Sequence, residues 1–153
     1  MFETNNNHLL HKDAIKLVLE QLPGATDMDS VSGYYSPYDI EWNNIKFLVK
    51  VAKRSRKISQ TASKWFYTLR EKDHQIADYF ILFALLKDTI VGVYVLPEVF
   101  TPKVYITITK IDGNMRYNFF KVDIHQLAEK IMALQAKLPK LVKLYNEAKG
   151  GFK

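Results

Sequence analysis

No cysteine occurs anywhere in the 153 residues. Disulfides, thiolate zinc sites and cysteine nucleophiles are therefore excluded together. Long apolar runs are missing too. The longest, Ala77–Leu86 and Ile90–Leu96, are separated by Lys87 and Asp88, and neither reaches the roughly 18–20 residues that cross a bilayer. The N-terminus has no basic leader ahead of an apolar stretch, so no secretory signal is expected and the cytoplasm is the expected compartment. Only 6 glycines are present, and none forms a Gly-rich phosphate loop. The serines lack a Gly-x-Ser-x-Gly setting, which leaves a hydrolase triad without support. His8, His11, His74 and His125 show no metal-ligand spacing on one element and read as exposed or helix-end residues.

What the chain does have is the balance of an ordinary globular protein, with 48% hydrophobic and 25% charged residues. That balance fits one domain over 1–153 with one core, frayed only at 1–7 and 150–153. The net charge of +6, with a pI near 9.4, favours polyanion partners through counterion release.

Leu9, Leu10, Ala14, Leu17, Val18 and Leu22 recur at helical spacing. With Asn7 as N-cap and Pro23-Gly24 as stop, the spacing predicts a helix over His8–Leu22. Thr26–Pro37 is polar and reads as a loop or an irregular edge. Tyr38–Trp42 alternates with period two, Asn43-Asn44 suits a tight hairpin, and Ile45–Ala52 is the return strand. Ile45, Phe47, Val49 and Val51 fall on one face of it, and Lys46, Leu48, Lys50 and Ala52 on the other. Lys64–Leu69 is expected to be extended, and Ala77–Leu86 to be a central strand buried on both faces. Ile90–Leu96, Lys103–Ile111 and Met115–Val122 are expected strands, with Asp112-Gly113-Asn114 as a turn. Asp123 caps a helix whose stripe is Leu127, Ile131, Leu134 and Leu138, which Pro139 kinks or restarts. A helix, a run of strands and closing helices predict an α/β domain with one mixed sheet flanked by helices.

The informative stretch is Ser36–Lys57. It sets Asp39 on one arm of the hairpin and Lys50 on the other, where the two can meet. A carboxylate that holds Mg²⁺ beside a lysine that orients water or stabilises developing charge suits phosphodiester cleavage. A lone Asp before a hairpin is more often a turn residue, and a lone strand Lys more often solvated. The basic run Lys50, Lys53, Arg54, Arg56 and Lys57 leads into Lys64-Trp65, Arg70 and Lys72. Charge runs are usually solvated faces. Cations beside aromatics also suit phosphate contact with stacking, so Lys53, Arg54, Arg56, Lys57, Lys64, Trp65 and Arg70 are candidate nucleic-acid contacts.

At these residues the chain resembles the PD-(D/E)XK nuclease superfamily. Pro37-Tyr38-Asp39 looks like its first acidic element, and Leu48-Val49-Lys50 stands where acid-x-Lys belongs. The likeness in layout runs from about Leu9 to Ile131. It implies a restriction-endonuclease-like fold and a Mg²⁺- or Mn²⁺-dependent endonuclease acting on double-stranded DNA. It also implies a homodimer or higher homo-oligomer, because cutting both strands needs two sites. Asp39 would bind the metal and Lys50 would assist the attacking water. The departure is Leu48, since leucine cannot ligate a hard cation. Three explanations stand. The acid has migrated, with Glu41, Asp13 or Glu20 as donor; catalysis has been lost and binding kept; or the residue has been substituted in this chain.

Overall fold

The computed structural model describes residues 7–32, 36–54, 64–109 and 115–150. Helix α1 (Asn7–Gln21) ends where Pro23 and Gly24, the latter at φ 82°, take the chain out of the helix. A two-residue strand β1 (Thr26–Asp27) and a short helix α2 (Met28–Ser32) follow. Of the loop or irregular edge expected over 26–37, the edge is present: β1 pairs with β2 (Ile40–Trp42), Asp27 opposite Ile40. A two-residue strand such as β1 is too short for an alternation to register in the sequence. Asn43 and Asn44 sit at φ 52° and 64°, the two left-handed residues that a type I′ hairpin needs. Strand β3 (Ile45–Arg54) returns from it.

Strand β4 (Lys64–Thr68) and helix α3 (Glu71–Ile76) lead into β5 (Tyr79–Leu86) and β6 (Thr89–Pro97). The main sheet has the order β1-β2-β3-β5-β6. Only β3 and β5 run parallel, Phe47 opposite Tyr79 and Val51 opposite Phe83. The chain is therefore an α/β protein with a five-stranded mixed sheet, as its element order predicts. Strand β7 (Tyr105–Thr109) pairs antiparallel with β4 in a separate two-stranded ribbon.

The alternation of β3 and β5 divides the core. Phe47, Val49, Ile81, Phe83 and Leu85 face α1 and the start of the last helix through Ala14, Ile15, Val18, Leu22, Leu127, Ile131 and Leu134. Leu48, Phe80, Leu82 and Ala84 face the ribbon through Trp65, Tyr67, Ile106 and Ile108. Each fully buried Phe or Leu stabilises the fold by roughly 1.5–3 kcal/mol relative to exposure. β5 is buried on both faces, which explains its near-continuous apolar run.

Two expectations near the C-terminus are corrected. Met115–Val122 is not a strand. Met115–Asn118 forms helix α4, and only Lys121 bridges to Tyr94 on β6. The β-favouring aromatics there are used for packing: Tyr117 enters the core and Phe120 stacks on Phe100. Pro139 does not restart the helix, which runs on as α5 from Leu127 to Gly150. Gln135, whose carbonyl loses its partner, is exposed and has water available. Asp123 does cap this region, accepting the His125 N–H at 2.9 Å ahead of a 3₁₀ turn at Ile124–Gln126. Asn7 and Gly150 belong to helices, whereas 1–6, 151–153 and the expected turn at 112–114 lie outside the described residues.

Candidate functional site

Asp39 comes immediately before β2, where the hairpin strand ends and the edge of β3 would otherwise be open. Its backbone N–H still donates to the Phe47 carbonyl at 3.0 Å. One residue pair further on, the side chain takes over. Asp39 Oδ2 accepts the Val49 N–H at 2.8 Å. The Val49 carbonyl accepts from His11 Nε2 on α1 at 2.9 Å, and that ring nitrogen stands 3.5 Å from Asp39 Oδ2. A carboxylate and an imidazole thus satisfy both backbone groups of Val49, an obligation that any buried strand edge must meet. The Asp39 hydrogen bond is the largest cause that holds the His11 pKa above its ordinary value. Partial burial opposes it, and the Asp39 charge, the Val49 carbonyl and Asp29 reinforce it. Asp29 on α2 lies close enough to feel the same field. Its carboxyl is pushed up first by partial burial, then by the charges of Asp39 and Asp27.

Lys50, one residue beyond Val49, projects from the opposite face of β3. Its ammonium lies 3.3 Å from Asp73 Oδ2. Asp73, in the first turn of α3, is 1% exposed and also accepts the Arg70 backbone N–H at 2.9 Å and Arg70 Nη2 at 3.1 Å. Burial by itself would raise its pKa. The Arg70 backbone and guanidinium bonds and the Lys50 charge outweigh that and hold the carboxyl below its usual range. No ion pair or hydrogen bond joins Asp39 to Lys50; each is held by its own partner.

The remaining candidates scatter. Glu41 Oε1 accepts from the Tyr38 hydroxyl at 2.6 Å, and Glu41 faces Lys46 across the hairpin. Asp13 is half-buried on α1. Leu48 is 7% exposed and packs in the cluster that contains Trp65 and Phe80. Among the described residues, no group of three or more His, Cys, Asp or Glu side chains converges as a metal site. Lys53 pairs with Asp88 in the β5–β6 turn at 3.3 Å. Arg54 ends β3, and Arg56 and Lys57 lie outside the described residues. Lys64 and Arg70 are exposed. Trp65, expected as a stacking surface, is instead 4% exposed and gives its indole N–H to the Leu85 carbonyl at 2.8 Å. The strand alternation turns it inward and turns its neighbour Phe66 outward.

Two residues that engage the candidate pair, His11 and Asp73, were not legible as such. The sequence does carry a sign for Asp73, because Arg-x-x-Asp at a helix start matches the capping-box spacing. Nothing local marks His11, whose partner is 28 residues away. No family model and no curated protein matches the sequence.

Proposed function

We propose that this protein is a nucleic-acid-binding domain with a restriction-endonuclease-like layout that does not itself cut its ligand. The observation that carries this reading is the separate engagement of Asp39 and Lys50. Cleavage of the kind the PD-(D/E)XK resemblance implies would need a metal-bound carboxylate and a lysine ammonium around one phosphate. Here the carboxylate caps the Val49 N–H, and the ammonium neutralises a buried aspartate. Leu48 fills the remaining acid position with packing. Binding draws on the net charge of +6 and on the basic stretch that closes β3 and precedes β4. A domain that does not cut both strands has no need of two sites, so the reading does not require a homodimer. Among the described residues no helix is long and apolar enough to cross a membrane, and a cytoplasmic location accords with a nucleic-acid ligand.

The test is incubation with supercoiled plasmid and Mg²⁺ or Mn²⁺, beside an EDTA control. Fluorescence anisotropy with labelled DNA over a range of salt runs in parallel. The reading predicts intact plasmid and an affinity that falls linearly on a log–log salt plot. Metal-dependent nicking would overturn it and favour the cleaving alternative. In that alternative Asp39, with Glu41 or Asp13, holds Mg²⁺ and Lys50 assists water. The observation on its side is the 3.5 Å approach of His11 to Asp39, two metal-ligand chemistries at one sheet edge.

A further inference from the structure

Among the described residues, the two-stranded ribbon packs into the core through one of its faces. Trp65, Tyr67, Ile106 and Ile108 point into the core and are buried. The outward positions are Lys64, Phe66 and Thr68 on β4 and Tyr105 and Thr107 on β7. Phe66 is 61% and Tyr105 55% exposed, and their ring centroids lie 5.9 Å apart at an interplanar angle of 40°. The register explains the pairing: Phe66 stands opposite Thr107 and Thr68 opposite Tyr105, so the rings meet on the diagonal. Isolated exposed aromatics need no explanation, but two adjoining rings on a face the fold does not need do.

The charge around this pair is of one sign on the ribbon itself. Lys64 lies at one end of the face and Lys103 at the other, with the exposed Arg70, already paired to Asp73, just past β4. None of the outward ribbon positions is acidic, and the nearest exposed acid in sequence is Glu71. Thr68 and Thr107 share the outward face with the two rings. An aromatic platform bracketed by cations and hydroxyls is what an unstacked base and its flanking phosphates require. A duplex keeps its base faces covered and cannot use the rings. We infer that the outer face of the β4–β7 ribbon, with Phe66 and Tyr105 as its stacking pair, binds single-stranded DNA. The inference rests on the nucleic-acid reading above and narrows it to a strand and a surface.

The experiment is anisotropy with a fluorescein-labelled thymidine oligomer and with a duplex of the same length, on wild type and on the Phe66→Ser/Tyr105→Ser double variant. Both positions are exposed, so the variant keeps the fold, which its circular dichroism and melting temperature verify. The inference predicts that the variant loses about tenfold or more in single-strand affinity, given about 1–3 kcal/mol per stacked base. Duplex affinity should stay within about twofold, and the salt slope should be unchanged. Lys64→Ala should instead lower that slope by roughly 0.7. Equal single-strand affinity of variant and wild type overturns the inference and leaves nucleic-acid binding standing. Wild type that binds neither probe at low salt overturns both. Self-association that the double variant abolishes, with no change in oligomer affinity, assigns the face to a second copy of the chain and also overturns it.

Discussion

Replacing Asp73 by Asn asks most of the structure, because one buried carboxylate serves three donor groups, the Arg70 backbone N–H, the Arg70 guanidinium and the Lys50 ammonium. The variant keeps the shape and removes the charge. Asparagine keeps one oxygen to accept the Arg70 N–H, so what is lost there is the charge assistance of that bond, about 1 kcal/mol. The Lys50 contact, with that side chain 23% exposed, contributes about 1 kcal/mol more. The Arg70 guanidinium is largely in water and adds little. The expected loss is about 2 kcal/mol, or about 4–8 °C in Tm for a domain of this size. Urea unfolding of wild type, Lys50→Met, Asp73→Asn and the double variant gives the coupling between the two side chains, expected at about 1 kcal/mol. The pH dependence has a defined sign. The folded pKa of Asp73 is depressed, so its contribution is complete above the unfolded value near 3.9 and is lost as pH falls through the folded value. The gap between wild type and Asp73→Asn should therefore close in strongly acidic solution. A coupling of zero, with Lys50→Met as stable as wild type, would refute the argument that Lys50 is committed to Asp73.

Three further outcomes follow from the same geometry. The His11 pKa is raised in the folded state, so its stabilisation is complete below about pH 6.5 and is lost as pH rises through the folded value. The Tm difference between wild type and His11→Gln should be larger at pH 6 than at pH 9, and Asp39→Asn should lower the His11 pKa read by NMR titration. Leu48→Asp buries a carboxylate in an apolar cluster and should destabilise the protein by about 3 kcal/mol in urea without gaining plasmid nicking in Mn²⁺. Asn44→Val places a branched side chain at φ 64° and should cost about 1–2 kcal/mol, whereas Asn44→Gly should be neutral or stabilising by the same assay.

Elements with strong local patterns could be read directly. The Asn43-Asn44 hairpin, the α1 stripe and the two-faced burial of β5 are each written in a few adjacent residues. Met115–Asn118 was misleading because its outcome depends on neighbours distant in the chain, the core that takes Tyr117, and Pro139 because the carbonyl it leaves without a partner belongs to an exposed residue, Gln135. The candidate site has the same division. Spacing put Asp39 and Lys50 on facing arms of one hairpin. It could not reveal that His11 and Asp73, from two separate helices, would each claim one of them. Trp65 and Phe66 make the point on the smallest scale, since one step of strand register exchanges a core residue for a surface one.

The most direct test of the central claim is whether a divalent ion settles between the two arms of the hairpin. Mn²⁺ titrated into isotope-labelled protein broadens the amide resonances of residues near a bound ion. Separate commitment of Asp39 and Lys50 predicts no localised broadening at Val49 and Lys50 and a plasmid that stays supercoiled in the same buffer. Saturable broadening centred on those two amides, reversed by EDTA and accompanied by nicking, would contradict it.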